Sequence, residues 1–379
     1  MWRVAIHHQW WLARGDSDPL GLPPLLRLLA RLQVSGSIAA AARDIGMSYR
    51  GAWGLLRDFE SAVNASLVIK TRGRGTQLSP LAEKLLWAEQ RVAARLSPTL
   101  ESLASELESE LEALIVPTRV GIRINASHGF AVAALVEALN QRQLPVELKY
   151  RNSTEAVAAL ARRECDFAGF HVAVGPYQSA SVQPYRQWLD AKQHILIQLA
   201  VRTQGLLVAR GNPHQIQGLK DLARPELRFV NRQVGSGTRM LLDLLLAQQG
   251  VSPAAINGYA NAEFTHAAVA AFIASGMADV GFGLETAARR FQLDFLPLLQ
   301  ERYFFACEAN ALRAQATRGV VELLRSEEMR KVINALPGYD GAATGQVLDV
   351  EAAFTDQRKR GAPRKNTQLG RRLQTDRRS

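Results

Sequence analysis

The chain has two cysteines, Cys165 and Cys307, in 379 residues. That is too few for a disulfide framework or a thiolate zinc site and suits a reducing cytoplasm, so both read as ordinary buried side chains. An unbroken apolar run of about 18 residues, the length a helix needs to cross a bilayer, is also missing. From Met1 to Leu12 the chain places two histidines and three tryptophans where a secretory signal carries a continuous apolar core. Neither secretion nor membrane spanning is expected, and the expected compartment is cytoplasmic. Metalloprotease, P-loop and nucleophile-elbow patterns are absent, which removes the commonest motif-borne chemistries. What remains is the composition of a folded protein: 47% hydrophobic and 21% charged residues exclude a globally disordered or fibrous chain. At roughly 150 residues per domain, the length allows about two to three folded units.

The net charge of +11 is unevenly spread. Arg358 to Ser379 contains nine Arg or Lys and one Asp, hence +8, and leaves only +3 for the rest of the chain. Without apolar periodicity this basic tail, within residues 341–379, is expected to be disordered and either to attract polyanions or to remain simply solvated. A second basic stretch, Arg27 to Arg74, has eight basic and three acidic residues and coincides with a motif.

Leu25, Leu28, Leu29 and Leu32 recur at helical spacing after Pro23 and Pro24, and Ser35–Gly36 ends the pattern. The following residues, Ser37 to Leu56, read as helix, tight turn, helix: Ala42 permits close approach, Gly46 suits a left-handed turn, and Ser48 can cap the second helix. Leu67 to Lys70 and Gln77–Leu78 read as strands flanking the basic turn Thr71 to Thr76, a wing. The candidate contacts to double-stranded DNA are Ser37, Ser48, Tyr49, Arg50, Trp53, Arg57, Arg72 and Arg74; the recognition helix would enter the major groove and the wing would follow the minor groove or its phosphates. From Pro80 a long helix carries Leu96, Leu100, Leu103, Leu107, Leu111 and Leu114 in steps of four and three. Between them lie glutamates, a pattern that serves a dimer seam or packing on the helix's own domain.

The wording "GSIAAAARDIGMSYRGAWGLLRDFE", the later "TRGRGTQLSP" and the following helix resemble the winged helix of the molybdate-responsive ModE regulators and their LysR-type relatives. That resemblance covers about the first quarter of the chain and implies a dimeric transcription regulator.

Pro117 is expected to end the long helix, after which short apolar strands alternate with helices, so a largely parallel sheet in two α/β lobes is expected. The segments "NASHGF", "ECDFAGFHV", "LLVARGNP", "GLKDL", "FVNRQVGSGTRMLLD" and "IASGMADVGFG" resemble, in order and spacing, the type 2 periplasmic-binding-protein module found in molybdate- and molybdopterin-related proteins. The fold expected is therefore α/β: a winged helix-turn-helix at 1–79, a dimerisation helix at 80–116, a two-lobed sensor at 117–340 and a basic tail at 341–379.

A ligand between the lobes would meet strand ends and helix amino ends. Candidate contacts are Ser127, His128 and Gly129; Asn152 and Ser153; His171; Arg232, Gly235, Ser236, Gly237 and Thr238; and Thr265, with His266 either structural or a contact. A tetrahedral oxyanion such as molybdate or tungstate could be held by hydroxyl and N–H donors alone, whereas formate would benefit from a bidentate arginine or a charged histidine, favouring Arg232, Arg239, His128 or His171. No organic cofactor or metal is called for, and a small anion effector is. The resemblance implies a ligand-responsive regulator, a homodimer or homotetramer, linked to molybdenum enzymes such as formate dehydrogenase. Two other classes compete: a molybdenum-cofactor storage or carrier protein, and an enzyme on a two-lobed fold, for which neither cysteine has an activating base.

Overall fold

In the computed structural model, which describes residues 3–13, 18–71, 75–115 and 121–355, two short strands, β1 (Trp11–Leu12) and β2 (Leu20–Gly21), pair antiparallel ahead of three helices. These are α1 (Leu22–Ser35), α2 (Ile38–Asp44) and α3 (Tyr49–Val63), followed by a hairpin of β3 (Val68–Thr71) and β4 (Gly75–Leu78). Local chemistry sets each boundary. Gly36 ends α1 at φ +64°, Ser37 caps α2 by accepting from Ala40 N–H, and Ser48 caps α3 by accepting from Gly51 N–H at 3.0 Å. Between α2 and α3, Gly46 takes φ +71° and the Ala42 carbonyl accepts from Met47 N–H at 2.8 Å, so the two helices turn over a fully buried alanine. Leucines of α1, Ala41 and Ala42 of α2, and Ala52, Leu56 and Phe59 of α3 share one core. The hairpin is tied to that core's first turn by Thr76 N–H donating to Gly36 O at 2.8 Å. The wing tip with Arg72 and Arg74 lies outside the described residues.

A 36-residue helix, α4 (Pro80–Ile115), leaves this unit. Leu96, Leu103, Leu107 and Leu114 are exposed along it, while Leu100 and Leu111 are half-buried. Pro117 is outside the described residues.

The remaining elements are β5 (Ile122–Ala126), α5 (Phe130–Gln141), β6 (Val146–Tyr150), α6 (Ser153–Ala161), β7 (Phe167–Ala173), α7 (Gln178–Arg186), β8 (His194–Val208), β9 (Phe229–Arg232), α8 (Gly237–Gln249), β10 (Ala262–Glu263), α9 (His266–Ala274), β11 (Val280–Leu284), α10 (Glu285–Arg290), β12 (Asp294–Glu308), α11 (Gln315–Arg325), α12 (Glu327–Asn334), β13 (Tyr339–Asp340), β14 (Val347–Asp349) and α13 (Val350–Phe354). One sheet holds ten of these strands in the order β10-β9-β11-β8-β12-β7-β5-β6, with β13 and β14 pairing on β8. Each lobe is a sheet half with helices on both faces, as βαβ connections require. In the first lobe, α5, α11 and α12 cover one face and α6, α7 and α13 the other; in the second, α8 covers one face and α9 and α10 the other.

The α/β class is as expected, but the sheet is mixed rather than largely parallel. Parallel pairing is confined to β5 with β6 and β7 and to β9 with β10 and β11. Everything that touches β8 and β12 is antiparallel. These two strands, each 15 residues long, run through both lobes. Of β8, only the apolar end that opens the segment LLVARGNP is legible in the sequence, because Arg202 and Gln204 interrupt the apolar run and mask a continuous strand.

Residues 341–355 also differ from the tail expected there. Val347–Asp349 pairs with β8, and Phe354 packs edge-to-face on Phe170 with ring centroids 6.3 Å apart. The basic residues 358–379 lie outside the described residues.

Candidate anion-binding cleft

The space between the lobes is lined by residues from the amino ends of four helices. Ser127 and His128 precede α5, Arg151 and Asn152 precede α6, Gln233, Ser236 and Thr238 lie around the start of α8, and Phe264 and His266 flank the start of α9. His171 of β7, Arg202 of β8 and Arg232 of β9 complete the lining. Helix amino ends carry unpaired N–H groups and the positive end of the helix dipole, so the walls favour an anion before any side-chain charge is counted.

Side-chain charge adds to this. Arg202 and Glu301 form a fully buried pair at 2.5 Å, and Gln204 Nε2 donates to the same carboxylate at 2.7 Å. Glu301 is held below the usual carboxylate range by the Arg202 charge acting against its own burial. That pair is neutral overall. Arg232 is 5% exposed and donates Nη2 to the Phe264 carbonyl at 2.6 Å, but its Nε and Nη1 have no partner among the described residues. Burial, and next the neighbouring Arg202, pull its pKa down, the signature of a cation whose charge is not compensated. An anion would supply that compensation.

Three histidines surround it. His171 is fixed at Nδ1 by Ser153 Oγ at 3.3 Å, and its Nε2, unpartnered among the described residues, points across the cleft to Gly237. His128 lies edge-to-face on Tyr150 at 4.8 Å, and His266 is buried with its Nδ1 unpartnered among the described residues. Burial lowers His128 and His171 to about 4, and pushes His266 well below its ordinary value. All three are therefore neutral near pH 7, which removes the charged-histidine grip expected for formate and leaves Arg232 as the buried positive centre, with Arg151 exposed at the cleft. A stability prediction follows from linkage. Unfolded histidines take up protons near pH 6.5, while the folded His128 and His171 refuse them until about 4. Stability is thus expected to fall as pH drops through that window, by up to about 3 kcal/mol for each histidine. Urea melts at pH 7, 6 and 5 check it; a flat profile would contradict the neutral assignment.

Of the residues singled out from the sequence, Ser127, His128, Asn152, His171, Arg232, Ser236 and Thr238 line the cleft, and so does His266, for which a structural role is the alternative. Gly129, Ser153, Gly235, Gly237 and Thr265 are not among the lining residues. Gly129 is the residue before α5, Gly235 turns at φ +83° beside the Asn152 amide, and Thr265 caps α9 by accepting from Ala268 N–H at 2.8 Å. Arg239 does not join them: it pairs with Asp243 at 3.1 Å and stacks over Tyr259 at 3.9 Å. Sequence reasoning missed Arg151, Arg202, Gln233 and Phe264. Only Arg202 left a trace, as a charge inside an apolar run that must find a buried partner.

On the first unit, Ser37 and Ser48 serve as helix caps. Tyr49 is 55% exposed, and Arg50 and Arg57, seven residues apart and hence on one face of α3, are both exposed. Trp53 is half-buried, edge-to-face with Tyr49 at 6.3 Å. An exposed helix end bearing Tyr49 and Arg50 has the shape and charge to enter a major groove.

Comparison with known proteins places the cleft in context. The model of the PBP superfamily domain matches residues 136–325. The uncharacterized protein YvgK of Bacillus subtilis (strain 168) is 36% identical over 203 residues, 53% of this chain and 64% of that protein. The molybdenum-pterin-binding protein MopB of Rhodobacter capsulatus is 27% identical over 140 residues, 36% of this chain and 51% of MopB. The HTH-type transcriptional regulator CbbR of Xanthobacter flavus is 26% identical over 229 residues, 59% of this chain and 62% of CbbR. The chain thus spans less than two thirds of each relative's own length. Among the described residues no helix is long and apolar enough to cross a membrane.

Proposed function

The chain belongs to the PBP superfamily, and from that premise we propose that it is a LysR-type, cytoplasmic transcription regulator that binds double-stranded DNA through α3 and senses a small oxyanion between its lobes. The observation that carries this reading is Arg232: a buried guanidinium with two unpartnered nitrogens, in a cleft walled by four helix amino ends. Donors approach from both lobes, so a tetrahedral oxyanion such as molybdate or tungstate uses them better than formate, whose two oxygens lie in one plane. One relative is by name a molybdenum-pterin-binding protein and another an HTH-type transcriptional regulator, which supports an effector linked to molybdenum and control of molybdenum-enzyme genes, formate dehydrogenase among them. The exposed leucines of α4 suit a seam with a second copy, a dimer or a pair of dimers. Catalysis has no place in this reading. Cys165 and Cys307 are buried, and that burial pushes both thiols up to about 12, out of nucleophile range.

Thermal melting with molybdate, tungstate, sulfate and formate at matched ionic strength tests the sensor. A ligand at about 100 times its Kd stabilises by about 2.7 kcal/mol, expected for molybdate or tungstate as a rise of roughly 5 to 10 °C. A shift by formate alone would replace the oxyanion with a carboxylate, and no shift by any of the four would overturn the anion site. For the DNA-binding half, Arg50→Ala is expected to weaken promoter binding at least roughly tenfold with the anion response intact. An unchanged promoter footprint would reject α3 as the reading element, and no footprint at all would favour a molybdenum-cofactor carrier.

A further inference from the structure

Helix α4 touches both sides of the cleft. Toward the second lobe, the Arg95 guanidinium makes a two-pronged ion pair with Glu263, with Nε to the two carboxylate oxygens at 2.9 and 2.8 Å, and Glu263 is only 4% exposed. One residue earlier on α4, the Ala94 carbonyl accepts from Thr265 Oγ1 at 3.1 Å. Trp87 and Ala94 pack against the core beneath α9. Toward the first lobe, Ser105 Oγ accepts from Leu148 N–H at 2.7 Å and Ser102 Oγ accepts from Tyr150 N–H at 3.0 Å. Those amides belong to β6, the edge strand of the sheet, whose open side would otherwise need water or another strand. Between the two fastenings α4 spans a hollow lined by Gln90, Ser97 and Glu101 on its own side and by His128, Phe130 and Arg290 on the other. Both lobes are thus gripped within residues 94–105, about 15 Å of one helix.

The fastenings are also one step from the cleft. The carbonyl of Phe264 is the partner of Arg232 Nη2, and its two chain neighbours, Glu263 and Thr265, are the residues that hold α4. Glu263 of β10 is in register with Arg232 of β9. In the first lobe, His128 lines the cleft and lies edge-to-face on Tyr150, whose N–H is held by Ser102.

We propose that Arg95 and Glu263, opposed by Ser102 and Ser105, are the positioning residues that turn anion occupancy of the cleft into a displacement of α4, and so of the recognition helix joined to it. The inference rests on the anion-site reading above. A helix bound to two bodies cannot keep both attachments and its own pose when the bodies change separation, so an anion that draws the lobes together must move α4, bend it at Pro98 between the fastenings, or break one attachment. By linkage the same contacts let bound DNA alter anion affinity by the same factor.

Amide hydrogen exchange on the full chain, without anion and with molybdate, tungstate, sulfate or formate, tests it. The anion that protects the amino ends of α8 and α9 is expected to change exchange in residues 84–106 and at the Leu148 and Tyr150 amides as well. In the paired variant Arg95→Gln with Glu263→Gln, which removes both charges and leaves no buried carboxylate unpaired, the α8 and α9 protection and the anion affinity should persist within roughly threefold while the α4 response disappears. Ser102→Ala with Ser105→Ala, which leaves the second-lobe attachment untouched, should remove the same response from the other side. Unaltered exchange in α4 when α8 and α9 are protected, or an intact α4 response in both variant pairs, overturns the coupling while leaving the sensor in place. Absence of protection at α8 and α9 with all four anions overturns the sensor and the coupling with it.

Discussion

Arg232→Met is expected to abolish the melting response to molybdate while leaving the anion-free protein at least as stable as the parent, whereas Arg202→Met in the same cleft is expected to lose about 3 to 5 kcal/mol. The two arginines are both buried and only a strand apart in the sheet, yet their circumstances are opposite. Arg202 neutralises Glu301 at 2.5 Å, so its removal strands a carboxylate in a dry interior. Arg232 has no direct carboxylate partner among the described residues: two of its nitrogens are unpartnered there, and burial and the repulsion of nearby Arg202 outweigh the attraction of Glu301. Exchanging an uncompensated charge for an apolar side chain of similar length removes a desolvation cost. That gain offsets the Phe264 carbonyl left without its donor, a loss of about 1 to 3 kcal/mol. Anion affinity should fall by roughly 100-fold or more, about 2.8 kcal/mol. Melting curves with and without molybdate for the two variants decide the matter; an equal loss of stability in both would show that Arg232 is a structural ion rather than a waiting ligand group.

Gly237→Ala should be nearly as damaging to binding. A Cβ on Gly237 would stand 2.0 Å from His171 Nε2 and 2.5 Å from its Cδ2, deep inside contact distance. His171 cannot step aside, because Ser153 holds its other nitrogen and Tyr303 lies against its ring at a 31° tilt with centroids 6.0 Å apart. The lobes must therefore part by on the order of 1 Å, enough to take donors on one side out of reach of an anion bound by the other. Calorimetric titration with molybdate is expected to show at least a roughly tenfold weaker affinity, with the anion-free melting point little changed because the strain is relieved by opening. Adding His171→Ala should restore part of the affinity. Parental binding in Gly237→Ala alone would mean that the lobes do not close on this contact.

How far the amino-acid sequence discloses these features depends on how local their causes are. The helix-turn-helix is written in adjacent residues: Ser37 and Ser48 cap, Gly46 turns, and alanines sit where helices meet. The βα junctions around the cleft are equally local, which is why eight of its lining residues could be named beforehand. Causes at long range are silent. Arg202 and Glu301 are 99 residues apart, and only their pairing explains two fully buried charges in the middle of these strands. Arg239 shows the converse, since proximity to Arg232 in sequence says nothing of direction: its place on α8 turns it to Asp243, four residues on. Residues 341–355 look like part of a tail because Val350, Ala353 and Phe354 are too few to make a pattern, and only the hydrophobic cluster around Phe170 that they complete gives them a place.

The two long strands also impose an order on synthesis. The second lobe is assembled from one uninterrupted stretch of chain between the crossing points of β8 and β12, and can close as soon as that stretch has been made. The first lobe is divided: β5, β6 and β7 come early, but β7 pairs with Glu301 to Ala306 of β12, and β14 and α13 come later still. A ribosome that has delivered about 300 residues therefore holds a chain whose second lobe is nearly complete and whose first lobe exposes β7, a strand buried along its whole length in the finished protein. That open edge is where incomplete chains would stick to one another, and where a nascent-chain chaperone would have most to cover.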